Sequence, residues 1–174
     1  MSEIKFSRVC EMPNSNTFQI KAISKLIHKY NRTELVSIDP FANTNRIAKI
    51  TNDLDPLMKC DHCMDAIDFL KMFDTSSIDL VLYDPPYSPR QVSECYTRLG
   101  KTVNMQTTQS SFWGDLKKEV SRVLKPKGIV ISFGWNSNGI GKGNGFRILE
   151  ILLVAHGGIH NDTICVVERK ETLF

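Results

Sequence analysis

Residues 84–87 of this chain of 174 residues read Asp-Pro-Pro-Tyr, directly after the apolar run Ile78 to Tyr83. Neither Pro85 nor Pro86 can donate to a sheet ladder, and Pro85 biases Asp84 away from helix, so a strand has to stop here. The local carbonyls are then not tied up in a turn and can face a ligand. Asp84 adds a further acceptor beside them. Two acceptors at fixed spacing suit an exocyclic amine, which has two hydrogens to donate, and Tyr87 offers a flat ring for stacking on a planar base. Asp84, Pro85, Pro86 and Tyr87 are therefore the candidate catalytic residues. The plain alternative is a proline-rich strand stop with an exposed tyrosine.

The elements that must position this tip alternate in type. Residues 16–30 place Ile20, Ile23, Ile27 and Tyr30 on one helical face, with Asn16 as a cap. Short strands are predicted at 34–39 and 46–51. A helix over 64–73 turns Ala66, Phe69, Leu70 and Phe73 inward, and the strand 77–84 follows. A second long helix, 111–124, has Phe112, Leu116, Val120 and Leu124 in register and is stopped by Lys125–Gly128. The strand 128–135 comes next, and 146–170 reads as two strands joined through a turn holding Gly157, Gly158, Asn161 and Asp162. Continuous apolar strands alternating with helices predict one α/β domain over residues 1–174. Its sheet is mainly parallel with helices on both faces, closed by an antiparallel hairpin strand. The connection between the first two strands is too short for a full crossover helix. In such sheets ligands bind outside the carboxyl ends of the strands, where Asp39, Asp84, Trp135 and Asn136 fall.

Composition narrows the function. A formal charge of +3 permits a polyanionic partner without arguing for one, since single-sign blocks are absent. The N-terminus has no apolar core of signal-peptide length, and the run 148–155 is broken by Glu150 and too short to cross a bilayer, so a cytoplasmic protein without membrane contact is expected. Cys60 and Cys63 have metal-like spacing around His62. A zinc site needs four ligands, however, and no second pair follows, so free thiols and no metal are expected.

An Asp-Pro-Pro-Tyr tip after an apolar strand resembles the catalytic motif of S-adenosylmethionine-dependent amino methyltransferases, above all the DNA adenine-N6 enzymes. "SIDPFAN" at 37–43 looks like their first cofactor motif, "CMDAIDFL" at 63–70 like the acid that holds the cofactor's adenine, and "VLKPKGIVISFGW" at 123–135 like their helix-end and fifth-strand motif. The resemblance covers roughly residues 12–170 and implies a Rossmann-like class I methyltransferase fold with S-adenosylmethionine as cofactor. It would place Asp39, Pro40, Phe41, Ala42 and Asn43 near the methionine part, Asp53 rather than Asp55 on the ribose, and Asp65 with the Ala66 amide on the adenine. Phe18 and Lys21, in a segment of about 12–30, would cover the cofactor. Asp84 and the Pro85 carbonyl would accept hydrogen bonds from the target amine. Asn43 and Asn45 stand where the family carries glycines; asparagine tolerates the left-handed turn better than most residues.

The implied activity is methyl transfer to the N6 amine of adenine in DNA. Alternatives are an RNA base or a protein amide as acceptor, or a non-catalytic binding module that keeps the fold. Acceptor contacts are expected from two loops. Residues 88–112 hold Arg90, Gln91, Arg98 and Lys101, and residues 136–145, next to Trp135 and Asn136, are read as a flexible loop carrying Lys142. No dedicated recognition region is visible. DNA is therefore the expected partner, single-stranded DNA included, with a homodimer or a partner subunit as further sources of contact.

Overall fold

The computed structural model describes residues 3–100, 110–158 and 160–172. Seven strands form one sheet: β1 (Lys5–Cys10), β2 (Ser37–Asp39), β3 (Ile50–Thr51), β4 (Ile78–Tyr83), β5 (Leu124–Gly134), β6 (Phe146–Ala155) and β7 (Thr163–Lys170). Their order is β1-β6-β7-β5-β4-β2-β3. Only the pairings of β7, with β5 and with β6, are antiparallel. This is the Rossmann-like arrangement expected, with the closing hairpin inserting its last strand between β5 and β6.

Apolar spacing decides what each helix covers. In α1 (Lys21–Tyr30) Ile23, Leu26 and Ile27 pack on one face of the sheet with Leu80, Leu82, Ile131 and Val167. On the opposite face lie α2 (Ala66–Lys71) and α4 (Ser110–Val123), whose Phe69, Leu70, Leu116 and Val120 meet Val81 and Val130. Successive residues of β4 and β5 thus alternate between two apolar layers, the period-two pattern of a strand buried on both sides. Each fully buried side chain of this size contributes roughly 1.5–3 kcal/mol. The sheet's central tips, including that of β4, are held from both faces.

Several elements differ from the sequence expectation. β1 was not expected; it is an edge strand parallel to β6, with Ile4 and Phe6 exposed, and so lacks the apolar signature of a buried strand. Asn16 does not cap α1: a short 3₁₀ turn (Thr17–Gln19) intervenes, Ile20 takes the cap position, and the Asn16 amide donates to the Thr44 hydroxyl (3.0 Å). Helix α4 ends at Val123, just before residues 125–128 as expected, but these residues already belong to β5, with Lys127 at a left-handed φ of 67°. Residues 40–49 contain no helix, as the short connection demands. The next strand position is reduced to one parallel bridge, Asn52 with His62.

Two loops are also more ordered than expected. Residues Pro89–Arg98 form a helix, α3, whose N-cap Ser88 accepts a hydrogen bond from the Gln91 N–H (3.3 Å), with proline in the first turn. Lys101 and the rest of 101–109 lie outside the described residues. In 136–145 Ile140 is buried, and the N–H groups of Ile140 and Gly141 donate to the Glu168 carboxylate (2.6 and 2.9 Å). The expected flexible loop is pinned.

Candidate functional site

The carboxyl ends of β2, β3 and β4 open into a cavity of about 580 Å³, a size typical of small-ligand sites. Pro40, Phe41 and Asn43 line it after β2, Asp53 after β3, Asp65 and Ala66 at the start of α2, and Asp84 to Tyr87 after β4. Ser15, Asn16 and Thr17 contribute from the N-terminal segment, and Tyr96 and Arg98 from α3. Tertiary folding thus brings together residues from six separate stretches of the chain.

At the β4 tip, each polar group of the motif has a defined state. The Tyr87 hydroxyl donates to Asp84 Oδ1, and the Tyr87 N–H donates to Gln91 Oε1 (2.7 Å). Trp113 Nε1 donates to the Pro86 carbonyl (3.0 Å). Among the described residues no hydrogen bond is made to the Pro85 carbonyl or to Asp84 Oδ2, although the Thr17 hydroxyl lies close enough to the carboxyl to act on it. Burial pushes the Asp84 carboxyl above its ordinary range, while the hydroxyls of Tyr87 and Thr17 hold it down. Two groups of the tip, the Tyr87 N–H and the Pro86 carbonyl, are tied to α3 and α4.

The opposite wall is built from carboxylates that brace backbone N–H groups. Asp53 accepts from Asn43 (2.9 Å) and Asp55 (2.9 Å). Asp65 caps α2, accepting from Ile67 (2.9 Å), and its other oxygen takes the Tyr96 hydroxyl. Asp55 accepts from Leu57 (2.9 Å) and faces Arg98 at 3.6 Å. Fully buried Asn52, which the sequence did not single out, joins three segments. Its Nδ2 donates to the carbonyls of Pro40 (3.1 Å) and Met64 (3.0 Å), and its Oδ1 accepts from the Met64 N–H (3.1 Å). Asn43 takes the left-handed φ (49°) that glycine would otherwise supply.

Some expected site residues sit elsewhere. Asp39 is 1% exposed and lies beneath the cavity, where Oδ1 accepts from the Phe41 N–H (3.0 Å) and Oδ2 is buried without a partner. Burial raises its carboxyl well above the usual range, and the charges of Asp84 and Asp53 add to this. Ala42 is likewise buried behind the wall. Phe18 packs into the core against Phe133 (centroids 4.7 Å apart), and Lys21 starts α1 with an exposed side chain that does not line the cavity. From the segment of about 12–30 it is Ser15, Asn16 and Thr17, not Phe18 or Lys21, that line the cavity. Arg90 is exposed and paired with Glu94 (2.7 Å). Gln91 lines the cavity, but its amide oxygen is engaged by Tyr87.

Trp135 and Asn136 belong to a second cavity of about 300 Å³ on the other side of the motif. The two cavities share Pro85, Pro86 and Tyr87. Among the described residues no group of histidines, cysteines and acids could hold a metal ion; Cys60 and Cys63 are free thiols facing the carbonyls of Asn43 (3.4 Å) and Leu54 (3.7 Å). No helix among the described residues is long and apolar enough to cross a membrane.

No protein-family model and no curated protein matches the sequence. Solved structures do. TrmN from Thermus thermophilus matches at a TM-score of 0.57 and 16% identity over 87% of this chain, which spans about half (49%) of the TrmN chain. The 1,6-didemethyltoxoflavin-N1-methyltransferase of Burkholderia thailandensis, solved with its substrate and S-adenosylhomocysteine, matches at 0.58 and 12% identity over 87% of this chain and 78% of its own. The [4+2]-cyclase SpnF matches at 0.57 and 12% identity over 87% and 82%. The chain therefore has the Rossmann-like fold of these proteins. Because the fold carries both methyl transfer and cyclisation, function has to be argued from the site.

Proposed function

We propose that the protein is an S-adenosylmethionine-dependent methyltransferase acting on an exocyclic amine of a nucleobase, with the N6 amine of adenine in DNA as the primary acceptor. The observation that carries this reading is the β4 tip, where Asp84 and Pro85 line a cavity whose far wall suits the cofactor, and where no described residue makes a hydrogen bond to Asp84 Oδ2 or to the Pro85 carbonyl. Asp53 and Asp65 are acceptors for ribose hydroxyls and an adenine amine, and the Ala66 N–H at the start of α2 is a donor for a ring nitrogen. Asp39, whose buried Oδ2 has no partner among the described residues, lies near Asp53 and Asp84, an acidic grouping under the cavity that suits a cationic ligand. The donor set thus fits S-adenosylmethionine.

When bound, that cofactor supplies a methyl group already activated on a sulfonium. The protein's share is orientation. Asp84 and Pro85 accept the two amine hydrogens, turning the nitrogen lone pair out of ring conjugation and towards the first cavity. Alignment of this kind can contribute ~7–11 kcal/mol. Both acceptors also stabilise the positive charge that develops on the amine nitrogen. Asp84, with its raised pKa, is the nearest base for the proton that the methylated amine releases. Tyr87 presents its ring to the base, and its hydroxyl fixes the Asp84 rotamer.

A second reading, an RNA base as acceptor, uses the same geometry. It is favoured by the lack, among the described residues, of an added element that would read a duplex. Label transfer from tritiated S-adenosylmethionine to single-stranded DNA, duplex DNA, RNA and protein separates the readings. Single-stranded DNA labelled at least as fast as duplex, with the rate falling steeply as salt rises, is the expected result. Label entering protein alone would contradict both.

A further inference from the structure

We propose that the second cavity is a subsite for the nucleobase next to the one methylated, and that the hydroxyls of Tyr83 and Ser132 read its edge. This rests on the nucleic-acid acceptor of the preceding section. The amine that is methylated is not held in this cavity, because Asp84 lines only the first. The shared Tyr87 separates the two, so a group in the second cavity lies one residue's width from the transfer point.

The walls are aromatic and fixed. Trp113 is locked by its bond to the Pro86 carbonyl (3.0 Å), and the Tyr87 and Trp135 rings meet at 5.2 Å with 56° between their planes. Trp135 is 45% exposed, an open face that a planar ring can cover. The floor is polar and unfinished. Tyr83 and Ser132 pair across β4 and β5, line the cavity, and are 3% and 6% exposed, yet neither hydroxyl has a hydrogen-bond partner among the described residues. A buried hydroxyl without a partner is costly, and each can both donate and accept, as a base edge requires. Lys117 and Asn136 at the rim suit the phosphate that joins neighbouring nucleotides.

The outer wall is also purposely built. Gly139, at φ +54°, lets the fully buried Glu168 carboxylate reach the Ile140 and Gly141 N–H groups; a Cβ at Gly139 would stand 2.2 Å from that carboxylate. At about 300 Å³ the cavity holds one ring system rather than an extended ligand.

Trp113 and Trp135 are the chain's two tryptophans, so intrinsic fluorescence reports on this cavity alone. The test titrates the protein with the four nucleoside 5′-monophosphates and with ribose 5-phosphate, while saturating S-adenosylhomocysteine fills the first cavity. Saturable quenching by nucleotides, not by ribose 5-phosphate, is expected, with at least about a fivefold spread of affinity among the bases. Trp135→Ala should weaken binding about tenfold. The double variant Tyr83→Phe, Ser132→Ala should keep the quenching and the melting temperature but lose the spread. Quenching absent at about 10 mM nucleotide, equal quenching by ribose 5-phosphate, or a spread that survives the double variant would each overturn the proposal. Selective quenching by a protein that labels no nucleic acid would instead overturn the proposed function and leave the subsite standing.

Discussion

The two ends of the sheet are held together by different means. On one side β5, β6 and β7 run for 11, 10 and 8 residues and are tied by long antiparallel ladders, the β6–β7 one with a single register shift between Ile148 and Glu150. On the other, β2 and β3 have 3 and 2 residues, and one bridge stands in for a further strand. There the backbone is stitched by side chains instead. Asn52 holds Pro40 and Met64, Asp53 holds Asn43 and Asp55, and Asp61 accepts both the N–H and the hydroxyl of Thr51 (2.8 and 2.7 Å), which holds its pKa below the ordinary range. The stitched end lines the first cavity, so the groups proposed to bind the cofactor are also structural ones. The second cavity borders the laddered end, with Ser132 of β5 beside Tyr83 of β4 and with Glu168 of β7 holding the Ile140 and Gly141 N–H groups. Asp84 sits at the seam between the two.

That position makes Asp84 separable from both ends, and the largest effect is expected there. Asp84→Ala should lower the transfer rate by about 100-fold or more, the scale of removing a group that acts on developing charge. Affinity for S-adenosylhomocysteine, followed by calorimetry, should barely change. Asp84→Asn should be milder because its amide oxygen still accepts. Near-normal turnover in the alanine variant would remove the residue from the reaction.

Asn52→Ala should expose the dependence of the short end on its stitches. It leaves two carbonyls and one N–H without partners in the interior and should cost roughly 2–4 kcal/mol in denaturant unfolding. A loss below about 0.5 kcal/mol, the range of ordinary surface changes, would show that β2 and β3 are held by something else.

Tyr87 tests the seam more finely. Tyr87→Ala should lose about 1–3 kcal/mol of base binding. Tyr87→Phe keeps the ring and should keep most of the activity at high pH, but it removes a donor that holds the Asp84 pKa down. The ionised carboxylate is the accepting form, so activity falls as pH drops through that pKa. The acid limb of the rate profile should therefore move to higher pH in Tyr87→Phe. A limb that stays in place, or moves the other way, would show that the hydroxyl does not set the ionisation of Asp84.

The smallest effect is expected at Tyr96, whose hydroxyl occupies the Asp65 oxygen needed for an adenine amine. Tyr96→Phe frees that oxygen and should tighten S-adenosylhomocysteine binding about twofold to tenfold, whereas Asp65→Ala should weaken it along with the helix cap. Unchanged affinity in both variants would move the adenine pocket elsewhere in the chain.

Parts of the first cavity were legible in the sequence because their physics is local: two prolines end a strand wherever they occur, and Asp65 is a helix cap by its own chemistry. The mainly parallel sheet and its antiparallel closing strand followed from alternation of element types. What stayed hidden depends on partners far away in the chain. β1 is a strand only because β6 offers it an edge, and Tyr83 and Ser132 become a pair only through the β4–β5 register. Lys21 and Thr17 show the same limit, since one turn of 3₁₀ helix decides which residue faces the cavity. For α3 a signal was present: Ser88 followed by Pro89 is a helix start, obscured by the polar composition of the residues after it.

The most direct test of the account is the position of the methyl group in the product. Nucleic acid labelled by the protein is digested to nucleosides, and mass analysis with isomer standards locates the added carbon. An exocyclic amine, N6 of adenine above all, is the expected site, because Asp84 and Pro85 form a paired acceptor for two amine hydrogens. Methylation at a ring nitrogen, a ring carbon or a ribose hydroxyl would contradict the account, since none of these atoms carries the two hydrogens that the β4 tip is built to accept.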